Sequence, residues 1–80
     1  MNKDSKIEIT EEERIEYAKS LNVLRKSKGW TLKRMEELTG IPNQTISRYE
    51  RGINEPTIFQ AYKIAKLFDV TIEEMIQGEI

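Results

Sequence analysis

Apolar residues along this 80-residue chain recur three and four positions apart, in short groups separated by glycine, proline or a Thr three residues ahead of Glu or Gln. That spacing belongs to helices; strict alternation is confined to Ile7-Glu8-Ile9, too short to make a strand. The pattern predicts five helices. The first opens at Thr10, which has capping-box spacing to Glu13, and Glu11, Glu12 and Glu13 suit the positive end of a helix dipole. It runs to about Lys28, with Ile15, Ala18, Leu21 and Leu24 on one face, and Gly29 stops it. Thr31 is the next N-cap, with Trp30 and Met35 in hydrophobic-staple positions. This second helix buries Leu32, Met35 and Leu38 and ends at Gly40. A third opens at Pro42 or Asn43, the residues leaving the cap undecided, buries Ile46 and part of Tyr49, and ends at Gly52. Thr57 with Gln60, and Thr71 with Glu74, have capping-box spacing ahead of two further helices. The fourth carries Ile58, Ala61, Ile64, Ala65, Leu67 and Phe68, and the fifth Ile72, Met75 and Ile76. The fold class is therefore all-α, with a domain over residues 11–80 and a mobile N-terminal segment over residues 1–10.

Composition narrows the chemistry. The chain has no Cys and no His, which removes disulfides, thiolate chemistry, the usual neutral-pH general base and the commonest metal ligand. Ser5, Ser20, Ser27 and Ser47 have no imidazole to activate them, and there is no phosphate-cradling Gly-rich loop. No enzyme, metal or cofactor is expected. The acidic groups at Glu11–Glu13 and Glu73-Glu74 read as helix-start charges, since their spacing matches no calcium loop. No apolar run approaches the roughly 20 residues that span a bilayer, and MNKDSKIEIT has no signal-peptide core. A cytoplasmic protein with no membrane partner is expected.

A net charge of −1 conceals segregation. Residues 1–16 hold three basic against six acidic groups, residues 17–52 eight against three, and residues 53–80 two against five. The surplus is thus −3, +5 and −3 in turn, and the basic middle suggests a polyanionic partner.

The middle also carries the informative face. Two short helices joined by Gly40-Ile41-Pro42 are set at a steep angle, as in a helix-turn-helix. In the second, NQTISRYER, Ile46 points inward while Asn43, Gln44, Ser47 and Arg48 share the opposite face, at i, i+1, i+4 and i+5. Arg can pair with guanine O6 and N7, and Asn or Gln with adenine N6 and N7. Trp30 fits a staple and core role better than base stacking, because no second aromatic is interleaved with the basic residues. Phe59, Tyr62 and Phe68 are core or a partner surface, and Tyr49 packs with its hydroxyl wet.

TLKRMEELTGIPNQTISRYERG over residues 31–52, then Pro56-Thr57 and LFDVTIEEM over residues 67–75, resembles the phage repressor and Cro-like helix-turn-helix domain of the Xre family. The likeness covers about Leu21 to Ile76. It implies a compact five-helix, lambda-repressor-like fold with the helix from Pro42 or Asn43 to Arg51 as the recognition helix in the major groove of DNA. It implies base contacts from Asn43, Gln44, Ser47 and Arg48 and a phosphate contact from Thr45, with further phosphate contacts assigned to Lys33, Arg34 and Arg51. Arg25 and Glu50 stand where relatives form a buried ion pair, a structural role. Three positions depart from the family: Leu32 replaces a phosphate-contacting Gln, Glu36 replaces a small Ala between the helices, and Ile53-Asn54-Glu55 replaces a basic loop.

The function expected is sequence-specific double-stranded DNA binding by a transcription regulator, a repressor of phage or bacterial type. A homodimer on DNA is expected, because one domain buries only about 600–1,000 Å² there; its surface is expected on the exposed side of the last two helices, including Met75 and Ile76. The competing reading is a protein-interaction module, an antitoxin or adaptor with a degenerate helix-turn-helix, which the acidic flanks and the lost phosphate contacts favour.

Overall fold

The first helix, α1 (Glu11–Ser27), is held at its start by the Thr10 box: Thr10 Oγ1 accepts from the Glu13 N–H at 3.1 Å and the Glu13 carboxylate takes the Thr10 N–H at 2.9 Å. The computed structural model describes residues 7–80. The N-terminal segment expected to be mobile falls, for residues 1–6, outside the described residues. After α1 come α2 (Leu32–Thr39), α3 (Asn43–Glu50), α4 (Ile58–Phe68) and α5 (Ile72–Gln77). Thr31, Thr57 and Thr71 each accept the backbone N–H three residues on, so four of the five starts are set by a threonine hydroxyl. The Thr71–Glu74 box is reciprocal. The Thr57 box is not: Gln60 accepts from the Tyr49 hydroxyl instead, tying α4 to α3. The hydroxyl of Tyr49, expected to be wet, is thereby taken up inside.

Leu21, Met35, Ile46, Ile64 and Met75 are fully buried, one from each helix, and Leu24, Ile41, Tyr49 and Phe68 close around them. Helix α1 packs on α5 and α3, α2 on α3 and α4, and α4 on α5. Polar ties reinforce these contacts. Ser20 Oγ donates to the Met75 carbonyl at 2.8 Å inside the α1–α5 contact, and Lys63 Nζ donates to the Thr39 carbonyl at 3.0 Å. Trp30 packs on Phe68, ring centroids 5.6 Å apart.

Two expected core residues lie elsewhere, and one expected at a partner surface is buried. Ile15 is half exposed and Leu38 stands at the surface. Both fail for one reason: a run of i+3 steps drifts about 60° per step on a helix, so Ile15 lies about 120° from Leu21, and Leu38 as far from Leu32. On α2 the i+4 partner Thr39 is buried instead, its hydroxyl donating to the Met35 carbonyl at 2.7 Å and accepting from the Ile41 N–H at 3.1 Å. Met75, expected on a partner surface, is fully buried against α1.

Candidate nucleic-acid interface

Gly40 ends α2 in the left-handed conformation, φ 77°, where a side chain would be strained, and its N–H returns to the Glu36 carbonyl at 2.7 Å. Ile41 then dives into the core, 2% exposed, and Pro42 occupies the N-cap of α3. Proline has no side-chain acceptor, so α3 lacks a cap of its own. Glu36 supplies one from α2. Its Oε1 accepts the Asn43 backbone N–H at 3.1 Å and the Asn43 Nδ2 at 2.7 Å. These two bonds, with Lys33 nearby, hold the Glu36 carboxyl below the usual carboxylate range. Glu36, standing where the family has a small Ala, thus does not wedge the helices apart; it clasps one to the other.

The far end of α3 is fixed by charge. Arg25 Nε and Nη2 donate to the two oxygens of Glu50 at 2.7 and 3.0 Å, and Arg25 Nη1 donates to the Trp30 carbonyl at 2.8 Å. Asn22 Nδ2 adds a bond to Glu50 at 2.8 Å. Both charged side chains are largely enclosed, 13% and 7% exposed, and the hydrogen bonds to Glu50 raise the guanidinium pKa further above its ordinary value.

Between these two anchors, Asn43, Gln44, Ser47 and Arg48 line one open concavity with Leu32 and Arg51. Gln44 and Arg48 are exposed, Asn43 and Ser47 half-buried. The Leu32 side chain forms an apolar wall of this surface. Arg51 lies on its rim, with Nε directed to the Ser47 carbonyl at 3.4 Å. Thr45 is half-buried and does not line the concavity. Lys33 and Arg34 are exposed on the first turn of α2, and Arg34 pairs with Glu37 at 3.2 Å. Such an exposed pair contributes about 0–1 kcal/mol and yields readily to a stronger anion. The loop that departs from the family's basic pattern is tied back, Glu55 pairing with Arg14.

Sequence reasoning missed two features. Glu36 is seven residues from Asn43 across a turn, and no local periodicity links them. The second is an apolar concavity of about 320 Å³ bounded by α1, α4, α5 and the loop before Pro56, which Ile9, Tyr17, Ile58, Ile72 and Ile76 help to line. The Tyr17 hydroxyl is buried there without a hydrogen-bond partner among the described residues, and burial pushes its pKa well up. Beside it, Ile58, Phe59 and Tyr62 stand exposed on α4. Among the described residues no helix is long and apolar enough to cross a membrane.

Residues 14–75 match the family profile described as Helix-turn-helix (HTH_3). The HTH-type transcriptional regulator AnsR of Bacillus subtilis (strain 168) is 37% identical over 59 residues, 74% of this chain and 51% of AnsR. The chain thus spans about half the length of that relative. Among solved structures, an HTH_3 family transcriptional regulator from Vibrio cholerae superposes with a TM-score of 0.71 at 30% identity, over 82% of this chain and 37% of the other. The restriction-modification controller protein C.AhdI from Aeromonas hydrophila shares the fold, with a TM-score of 0.69 at 23% identity, over 76% of this chain and 92% of its own.

Proposed function

The chain belongs to this helix-turn-helix family, and on that footing we propose that it is a transcription regulator that binds duplex DNA in a sequence-specific way through α3. The carrying observation is the single concavity lined by Asn43, Gln44, Ser47 and Arg48. A major groove about 12 Å wide admits an α-helix, and these four side chains carry the donor and acceptor sets that base edges match. In this reading Arg48 pairs with guanine, Gln44 and Asn43 take adenine, and Ser47 adapts to either neighbour. Lys33, Arg34, Thr45 and Arg51 contact phosphates and set register. AnsR and the Vibrio cholerae protein carry the name of transcriptional regulator, which supports the same role here. Repression is the direct consequence of such binding, since occupying a site excludes other proteins from it.

One domain offers about 600–1,000 Å² to DNA, so the active species in this reading is a homodimer with half-sites about 34–36 Å apart. With Met75 inside the core, the contact is assigned to Ile58, Phe59 and Tyr62 of α4, whose exposures are 68%, 80% and 56%. Ile76, half-buried beside the apolar concavity, extends it.

Selection of sites from a random duplex library at about 0.15 M salt tests this, because non-specific binding is then typically only 10⁻⁴–10⁻⁶ M. A palindrome with half-sites one turn apart is the expected result. No enrichment, at that salt or lower, would overturn the reading and turn attention to a protein partner on the apolar side.

A further inference from the structure

Glu36 does more than cap a helix. An asparagine amide presents one oxygen, which accepts, and one nitrogen with two N–H groups, which donate. On a helix surface it can turn over and exchange the two, so by itself it does not fix which end faces the base. A carboxylate only accepts. Glu36 Oε1 lies 2.7 Å from Asn43 Nδ2, and a turned amide would set two oxygens against each other there. The same oxygen also takes the Asn43 backbone N–H at 3.1 Å. The amide N–H it engages is therefore the one directed back toward the main chain, and the free N–H is the one alongside Oδ1.

We propose that Glu36 is a positioning residue for base recognition: by holding the Asn43 amide nitrogen-inward, it leaves an acceptor–donor pair that selects adenine at one position of the DNA site. Adenine presents N7 as acceptor and N6 as donor, the complement of that pair. Guanine presents two acceptors at the same edge and leaves Oδ1 unmatched. The inference rests on the reading of α3 as a recognition helix and adds to it the origin of one base preference. It also gives the departure at residue 36 a role: a small side chain there reaches neither Asn43 donor.

The test compares base preferences, position by position, selected from the random duplex library by the unaltered protein and by E36A, E36Q and N43A, each first shown to be folded by its helical circular dichroism. The unaltered protein is expected to favour adenine about tenfold at one position, and E36A and N43A to lose that preference while the other positions keep theirs. E36Q should retain it, because the Asn43 backbone N–H still demands an oxygen and so fixes the glutamine amide with Oε1 toward both donors. Should E36A not fold, E36M, of similar length and without a comparable acceptor, replaces it. An adenine preference that survives E36A or E36M overturns the inference, as does its loss in E36Q. If the unaltered protein selects no site, the DNA-binding reading fails and the inference falls with it; a site that is selected but indifferent to residue 36 defeats the inference alone.

Discussion

Two concavities among the described residues are built on opposite terms. The one on α3 is lined by Asn43, Gln44, Ser47 and Arg48, and the helix beneath them is clamped at both ends by ionised groups, Glu36 at its start and the Arg25–Glu50 pair at its finish. The one bounded by α1, α4 and α5 is mainly apolar, holds a Tyr17 hydroxyl with no partner among the described residues, and is lined in part by the exposed Ile58 of α4, the helix that also exposes Phe59 and Tyr62. Directional bonds fix side chains in one geometry, which suits reading another molecule's donors and acceptors. Apolar surface is indifferent to orientation and suits contact by area. On the function proposed above, DNA takes the first face and protein the second.

Removing the clamp should break this contrast most severely. Glu50→Ala leaves the Arg25 guanidinium enclosed without its carboxylate, and is expected to destabilise the domain by about 3 kcal/mol, read from urea unfolding. A loss below about 1 kcal/mol would mean the pair contributes no more than a surface one. Arg48→Ala should leave unfolding unchanged yet weaken binding to the selected site by about 1–3 kcal/mol, with association between copies unaltered. Equal loss of both would show that the two faces are not independent.

On the other face, Tyr17→Phe removes a buried hydroxyl that has no partner among the described residues, and is expected to raise stability by up to about 1 kcal/mol. A clear drop in melting temperature would mean that the hydroxyl is satisfied. The smallest effect concerns pH. The Glu36 carboxyl titrates below its usual range, chiefly because Asn43 donates to it, so its contribution is present above the ordinary carboxylate pKa and fades as pH falls through the lowered value. The melting-temperature advantage of the unaltered protein over Glu36→Gln should therefore be constant from about pH 7 to pH 5 and shrink at lower pH. An advantage that grows on acidification would contradict the assignment.

What the sequence made legible was whatever depends on neighbours in the chain. Thr10, Thr31, Thr57 and Thr71 announce helix starts because a cap and its partner lie three residues apart. The shared face of Asn43, Gln44, Ser47 and Arg48 follows from helical periodicity alone. Where two elements compete for one side chain, local rules fail. Gln60 has capping spacing to Thr57 but serves Tyr49, and Glu36 answers a vacancy that Pro42 creates six residues later. Ile15 and Leu38 lie at the margin of an apolar stripe, where the direction of the neighbouring helix decides burial. Met75 was misplaced because α5 is so short that its inward side depends on where α1 lies.

The Arg25 guanidinium also governs how this molecule moves. Its donors reach the Trp30 carbonyl, just ahead of α2, and the Glu50 carboxylate, at the end of α3. Fraying α3 from that end would carry Glu50 into solvent and leave the largely enclosed Arg25 guanidinium without its carboxylate, so opening of the last turn is costly. The amide hydrogens of α3 are then expected to exchange with solvent more slowly than local breathing alone would allow, which hydrogen exchange would read. In the function proposed above, a helix held in this way would arrive at DNA already ordered, with little conformational entropy left to lose on docking.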